Sequence, residues 1–414
     1  MKHELRRRLI AMILCVAMVA MLAGCSQNGG EQTVAPPAET GQAPAEVNEP
    51  KSEVKGEVKI GVFVSKTGPQ PLDGDGGTKG AQMAADEINA AGGVNGYKLV
   101  LQFEDDANDA NTTMNVATKF ASDESILGML GIMSSSYTVA ISDIVKDYKI
   151  PMLQGGGSIT IDKLENPYLF RFRLADSFVA RVAANYMINT LGAKNIGVLY
   201  SGDDYGTGAF QVITSYLDTL GMKVTASEAH NRGDTDMTAG LLKLKDAGCD
   251  GIIVWSHGAE CAIICRQYRE LEMDTVPILG GPGFVNAAFY AGISDPAISN
   301  GTYCTADWSL DNPNQAPKDF VKRYTELYGT NPNTAASFWY DAVMIMADAL
   351  GRCDEMTREN LYNELLNVGK DQELILNCGS VYCDENRNLD HEVIIGQNQD
   401  NVLQVITSLK ESEF

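Results

Sequence analysis

Along the chain, short runs of apolar and β-branched residues alternate with longer stretches whose apolar positions recur every three to four residues. The first pattern reads as buried strands and the second as amphipathic helices. Strands are predicted over 58–64, 98–104, 127–132 and 150–153, with helices over 78–91, 112–122 and 137–146 between them. After 169–173 the rhythm restarts, with helices over 180–191, 208–220, 236–246 and 260–271 and strands over 195–200, 223–229, 251–255 and 277–279. Strand–helix alternation of this length builds parallel sheets with right-handed crossovers. Two doubly wound α/β lobes are therefore expected, meeting near Arg173. Beyond about Trp308 the pattern predicts helices over 316–328, 333–350 and 358–366. A β-hairpin pairing 380–383 with 391–397 and a strand over 401–406 complete it.

The ends of this pattern differ from its middle. Met1–Cys25 has a basic head (Lys2, Arg6, Arg7, Arg8), then an apolar run from Leu9 to Leu22, then Ala23-Gly24-Cys25. A charged start, a short apolar stretch and small residues make a secretory signal, and the run is too short for a comfortable membrane span. Leu22-Ala23-Gly24-Cys25 resembles the lipobox of bacterial lipoproteins, which implies that Cys25 becomes the acylated first residue of the mature chain. An ordinary signal peptide with an incidental Cys25 is the alternative. Residues 26–56 are rich in Pro, Ala and Glu and almost free of large apolar side chains. Such a segment buries too little to offset its ordering entropy and is expected to be a disordered, extended linker.

Composition narrows the class. The part expected to fold exceeds the size at which one core stops growing, so two domains are expected. The formal charge of −22 argues against nucleic acid or an anionic lipid surface as a partner. Nine cysteines, two of them in the export segment, are too few for a disulfide scaffold of this size. Cys378 and Cys383 flank a short turn and could pair. Cys261 and Cys265 have helical i, i+4 spacing but no second Cys/His pair nearby, so they read as buried thiols rather than a zinc site. No metal or other cofactor is expected, and no catalytic residue. Ser135 lacks the Gly-x-Ser-x-Gly elbow, the sequence fixes none of the four histidines near a serine, and there is no phosphate-binding loop of the Walker type. Asp73-Gly74-Asp75-Gly76 lacks the remaining ligands of a calcium loop.

Two loops stand out. Met133-Ser134-Ser135-Ser136 follows one predicted strand and precedes a helix, and Gln154-Gly155-Gly156-Gly157-Ser158 follows the next strand. Ligands of open parallel sheets bind beyond the carboxyl ends of strands. Hydroxyls and bare N–H groups at a helix start suit an anion, and glycines let the backbone approach it.

The chain also carries Ile60-Gly61-Val62-Phe63 running into Thr67-Gly68-Pro69, then Ala84-Ala85-Asp86-Glu87-Ile88-Asn89-Ala90-Ala91-Gly92-Gly93-Val94-Asn95-Gly96. Phe103-Glu104-Asp105-Asp106, Tyr205-Gly206 and Trp339-Tyr340-Asp341-Ala342 follow in order. This series closely resembles the branched-chain amino acid (Leu/Ile/Val) substrate-binding proteins of ABC transporters. The resemblance implies the type I periplasmic-binding-protein fold, two doubly wound parallel-sheet lobes joined by three hinge strands. Lobe one would comprise 57–174 plus 308–376, and lobe two 175–307 plus 377–414. The implied protein is an extracytoplasmic, lipid-anchored monomer that closes on a small amino acid or related carboxylate or amide. It would then dock on an ABC permease served by an ATPase subunit. A sensing receptor domain is the alternative.

Residue by residue, the resemblance implies that Ser135 holds the α-carboxylate, that Gly156 and Ser158 continue that clamp, and that Ser134 is its backbone neighbour. Tyr205 would close over the ligand from lobe two, and His257 would meet it where the family has an aromatic. Two positions depart from the pattern. Gly283 stands where the family's amino acid binders place the acid that takes the ammonium group. Asp73 stands where they carry an aromatic, and reads either as a relocated ammonium partner or as an exposed turn residue.

Overall fold

The structure is a computed structural model that describes residues 54–414. The expected signal segment, the lipobox with Cys25 and most of the expected linker lie outside the described residues. The first half runs β1 (Glu57–Val64), α1 (Pro71–Ala90), β2 (Lys98–Asp105), α2 (Ala110–Ser122), β3 (Ile126–Gly131), α3 (Ser135–Asp147), β4 (Met152–Gln154), α4 (Ile159–Asp162) and β5 (Leu169–Arg171). These five strands form one parallel sheet in the order β2-β1-β3-β4-β5. Every residue of β3 is buried, which is why the strand reads as an unbroken apolar run rather than an alternating one.

A second sheet follows from α5 (Asp176–Asn189), β6 (Ile196–Ser201), α6 (Asp204–Thr219), β7 (Ala226–His230), α7 (Thr238–Asp246), β8 (Gly251–Trp255), α8 (Gly258–Glu270), β9 (Ile278–Gly280), α9 (Ala287–Gly292) and β10 (Tyr303–Ala306). The chain then returns to the first half through α10 (Gln315–Tyr328), α11 (Thr334–Arg352), α12 (Arg358–Leu365) and a small antiparallel sheet of β11 (Leu374–Leu376), β12 (Gly379–Cys383) and β13 (Leu389–Asp390). It ends with β14 (Val393–Gln399) and β15 (Val402–Leu409), which complete the second sheet in the order β15-β14-β10-β9-β8-β6-β7.

The described residues belong to one compact unit, and within it each sheet carries its own cores. Ile60, Val62 and Leu130 pack with Trp339 and Met346 on one side, while Phe63 packs with Phe120 and Ile141 on the other. In the second half, Val254 packs with Cys261 and Phe284, and Ile253 with Phe178 and Ile213. The chain passes between the two halves three times, at Phe172–Ala175, after Ala306 and at His391–Glu392.

Three expectations change. The helix predicted to begin at Thr78 begins at Pro71, with proline in its first turn, a place that costs no hydrogen bond. Gly77 and Gly80 of this helix are buried against α11. A Cβ at Gly77 would meet the Trp339 ring, and one at Gly80 the Ala336 carbonyl oxygen. The predicted hairpin does not form: β12 pairs with β11 and β13, whereas β14 pairs with β10 and β15. Val381, Cys383 and Leu389 lie in the same core as Leu376, so the expected boundary at 376/377 falls inside this small sheet. Cys378 and Cys383 are buried free thiols, as are Cys261 and Cys265.

Candidate functional site

Between the lobes lies a cavity of about 770 Å³, part of it continuous with solvent. A concave space walled by two lobes is where a small-molecule ligand is expected. The first lobe contributes Gln70, Asp73, Met133, Ser134, Phe338 and Trp339, and the second contributes Tyr205, Arg232, His257, Gly283, Val285 and Asn286.

The first corner arises where β3 ends. Gly131 (φ 123°) and Ile132 (φ 58°) turn the chain sharply, a conformation that a β-branched residue adopts at a cost in strain. The turn delivers Met133 and Ser134 to the cavity, with Ser134 as the N-cap residue of α3. Ser135 is 1% exposed, and its Oγ accepts the Ser158 N–H at 3.2 Å. The second corner follows β4. Gln154 Oε1 accepts the Gly156 N–H at 2.6 Å. Ser158 Oγ accepts the Thr160 N–H at 3.2 Å, capping α4, and donates to the Asp204 carbonyl of the second lobe at 2.7 Å. Arg171, buried, donates from Nε to the Gly156 carbonyl at 2.8 Å and from Nη2 to the Ser158 carbonyl at 3.3 Å and to Asp162 at 2.5 Å.

Of the seven ligand residues expected from sequence, Asp73, Ser134, Tyr205 and His257 line the cavity together. Ser135, Gly156 and Ser158 stand behind it: Ser135 Oγ accepts the Ser158 N–H, the Gly156 N–H goes to Gln154 and the Ser158 hydroxyl to Asp204.

Tyr205 sits in the first turn of α6, which Asp203 caps by accepting the Gly206 N–H at 3.2 Å. The same carboxylate receives the Ser201 hydroxyl at 2.7 Å and lies 2.6 Å from His257 Nε2. Burial alone would raise the Asp203 carboxyl, but His257, the Ser201 hydroxyl and the Gly206 N–H hold it well below the ordinary carboxylate range. His257 is thereby fixed with its ring centroid 5.3 Å from that of Tyr205. Burial pushes the Tyr205 phenol well up, so it faces the cavity neutral.

Asp73 lies in the first turn of α1, which excludes the exposed-turn alternative. Its Oδ1 accepts the Ala287 N–H of the second lobe at 3.3 Å. Burial raises this carboxyl to about 6, the Ala287 N–H pulling the other way. At Gly283 a Cβ would run into the Ser256 carbonyl oxygen, so the backbone there leaves no room for the acid expected in amino acid binders.

Sequence reasoning missed the cavity floor, built from the three crossings. Arg173 lines the cavity while 5% exposed. Its Nε is 3.4 Å from Asp307 Oδ2 and its Nη2 3.9 Å from Asp176 Oδ1, while His391 Nε2 is 3.6 Å from Asp307 Oδ1. Burial lifts Asp176 to about 6 against the pull of Arg173. For Asp307, burial pushes the carboxyl up, but Arg173, His391 and the Leu174 N–H together bring it below the ordinary value. The signal that could have found this floor is Leu169-Phe170-Arg171-Phe172-Arg173-Leu174, where two arginines interrupt an apolar run with no acid beside them.

A model of the family described as periplasmic binding protein matches residues 57–401. A Leu/Ile/Val-binding protein homologue of Brucella melitensis is 30% identical over 269 residues, covering 64% of this chain and 71% of that protein. Among solved structures, the leucine-binding protein LivK of Thermotoga maritima superposes with a TM-score of 0.77 at 23% identity, over 86% of this chain and 100% of that one. The branched-chain amino acid transporter substrate-binding protein LivJ of Streptococcus pneumoniae, solved with isoleucine, gives 0.76 at 25% identity over 86% and 99%. The two lobes and their three connections are thus the type I periplasmic-binding-protein fold, and the chain belongs to the periplasmic binding protein family, among the Leu/Ile/Val-binding protein homologues.

Proposed function

We propose that this chain is the extracytoplasmic solute-binding component of an ABC importer, tethered by a lipid on Cys25 and enclosing a small branched-chain-type amino acid or related carboxylate between its lobes. The observation that carries this reading is a cavity walled by both lobes and bridged by contacts that exist only when the lobes meet. Asp73 accepts the Ala287 N–H, the Ser158 hydroxyl donates to the Asp204 carbonyl, and the Thr334 hydroxyl donates to the Val285 carbonyl at 3.0 Å. A solute touching both walls stabilises the closed form only by its extra contacts there. The apolar part of the solute would lie against Trp339, Phe338 and Val285, with Tyr205 and His257 covering it. Asp73 is placed to take an ammonium group. A permease with its ATPase subunit would receive the loaded, closed form.

Gly283 supports a second reading, in which the solute is a carboxylate without an amine, because no acid can stand at that corner. A thermal-shift series separates the two. Leucine, isoleucine and valine should raise the melting temperature with the logarithm of their concentration. No shift with these three and a rise with 4-methylpentanoate or benzoate selects the second reading, and no shift with either group rejects both. For the anchor, Cys25→Ser should release the chain from the membrane fraction. A chain still retained there has another tether.

A further inference from the structure

We propose that Arg173 receives the ligand's acid, so that the solute is a monocarboxylate whose charged end rests on the hinge floor of the cavity. This rests on the reading of the chain as a solute-binding protein and adds to it which group selects the solute.

Two observations carry it. Three donors of the serine and glycine corners are engaged within the protein: the Ser158 N–H goes to Ser135 Oγ, the Gly156 N–H to Gln154 and the Ser158 hydroxyl to Asp204. Arg173, in contrast, borders the cavity at 5% exposure, and its buried Nε and Nη2 have no hydrogen-bond partner. Buried N–H groups are almost always bonded, so an orphaned guanidinium beside a ligand cavity awaits an acceptor.

Asp307 and Asp176, at 3.4 and 3.9 Å, balance the charge without forming hydrogen bonds. They make a buried arginine tolerable in the empty protein, and a carboxylate entering the cavity would compete with them for its guanidinium. The other cavity arginine is engaged elsewhere. Arg232 stacks over Tyr137 at 5.7 Å and donates to its hydroxyl at 3.4 Å. Arg173 precedes the first helix of the second lobe, and Asp307 and His391 lie on the other two crossings, so an acid bound here would touch the region about which the lobes turn.

The test measures affinities of the full-length chain, in detergent, for 4-methylpentanoate, leucine and leucinamide. Arg173→Lys keeps a cation between Asp176 and Asp307 but removes the fork. The ratio of acid to amide affinity should fall by at least about tenfold, the scale of a lost charge-assisted hydrogen bond. An unchanged ratio overturns the assignment, including the case in which both affinities fall together, which marks Arg173 as structural only. If the variant does not fold, a crystal structure of the wild-type chain with 4-methylpentanoate decides. A carboxylate within hydrogen-bond distance of the Arg173 guanidinium supports the proposal, and one seated on Ser135 and Gly156 overturns it while leaving the solute-binding reading intact. If no acid or amino acid in the series binds the wild-type chain, the solute-binding reading fails and takes the Arg173 assignment with it.

Discussion

Asp73 shows how one half-buried carboxyl converts position into a measurable pH response. Its carboxyl titrates near 6 because burial disfavours the charge. An ammonium group is attracted only to the ionised form. Affinity for an amine-bearing solute should therefore be full above about pH 6 and fall as the pH drops through that value, approaching about tenfold per unit. By the same linkage, the raised carboxyl adds to fold stability below the ordinary carboxylate value of 3.8 and loses that contribution as pH rises through about 6. Asp176 on the floor titrates in the same range, beside Arg173 and Asp307, so the profile must be compared between variants. The leucine dissociation constant of Asp73→Asn, followed from about pH 7.5 to about pH 4.5, should lose the Asp73 component and be about tenfold or more weaker at neutral pH. Superimposable profiles would remove Asp73 from the ammonium role. Asp73 and His257 were legible through the family resemblance, which set them at cleft positions. Arg173 was not, because a charge within an apolar run announces burial without saying what it faces.

At the scale of elements, strand and helix succession was legible wherever burial is one-sided or complete, as in β3, and failed where packing overrides local preference. Pro71–Ala90 contains Gly74, Gly76, Gly77 and Gly80, each unfavourable in a helix by about 1 kcal/mol relative to alanine. The helix forms because Gly76, Gly77 and Gly80 let α1 pack closely on α11 and its N-cap Asn333, while Gly74 approaches the Ser65 carbonyl. Gly80→Ala therefore sets the two effects against each other. The gain in propensity is about 1 kcal/mol. The cost is overpacking against the Ala336 carbonyl, which backbone cannot relieve by rotating a side chain, of about 1–3 kcal/mol or more. A fall in melting temperature is expected, and a rise would mean that the helices separate easily. The false hairpin has a different cause. Residues 380–383 and 391–397 both carry strand propensity, and only the two sheets, one in each lobe, decide which partners they take.

For the whole molecule, the closed arrangement separates contacts that hold each lobe together from contacts that hold the lobes to each other. The first kind sets the stability of the empty protein, and the second sets the equilibrium between open and closed forms, which a ligand then shifts. Tyr137 belongs to the second kind. It stands on α3 of the first lobe, outside the main cavity, half-buried, and takes Arg232 of the second lobe over its ring at 5.7 Å. A partly exposed cation–π contact contributes about 0.5–1 kcal/mol. Tyr137→Leu removes that contact, together with the hydroxyl's bond to the Asn108 carbonyl inside the first lobe. If the interlobe contact dominates, the ligand should bind about two- to fivefold more weakly, since about 1.4 kcal/mol corresponds to tenfold. The loss should reside mainly in faster release, because the latch forms after the lobes have met. The melting temperature of the empty variant should change little. Stopped-flow dissociation and unliganded thermal unfolding of the same variant read the two quantities separately. A lowered melting temperature with an unchanged release rate would place Tyr137 among the contacts of its own lobe and leave closure to the bridges of Asp73, Ser158 and Thr334.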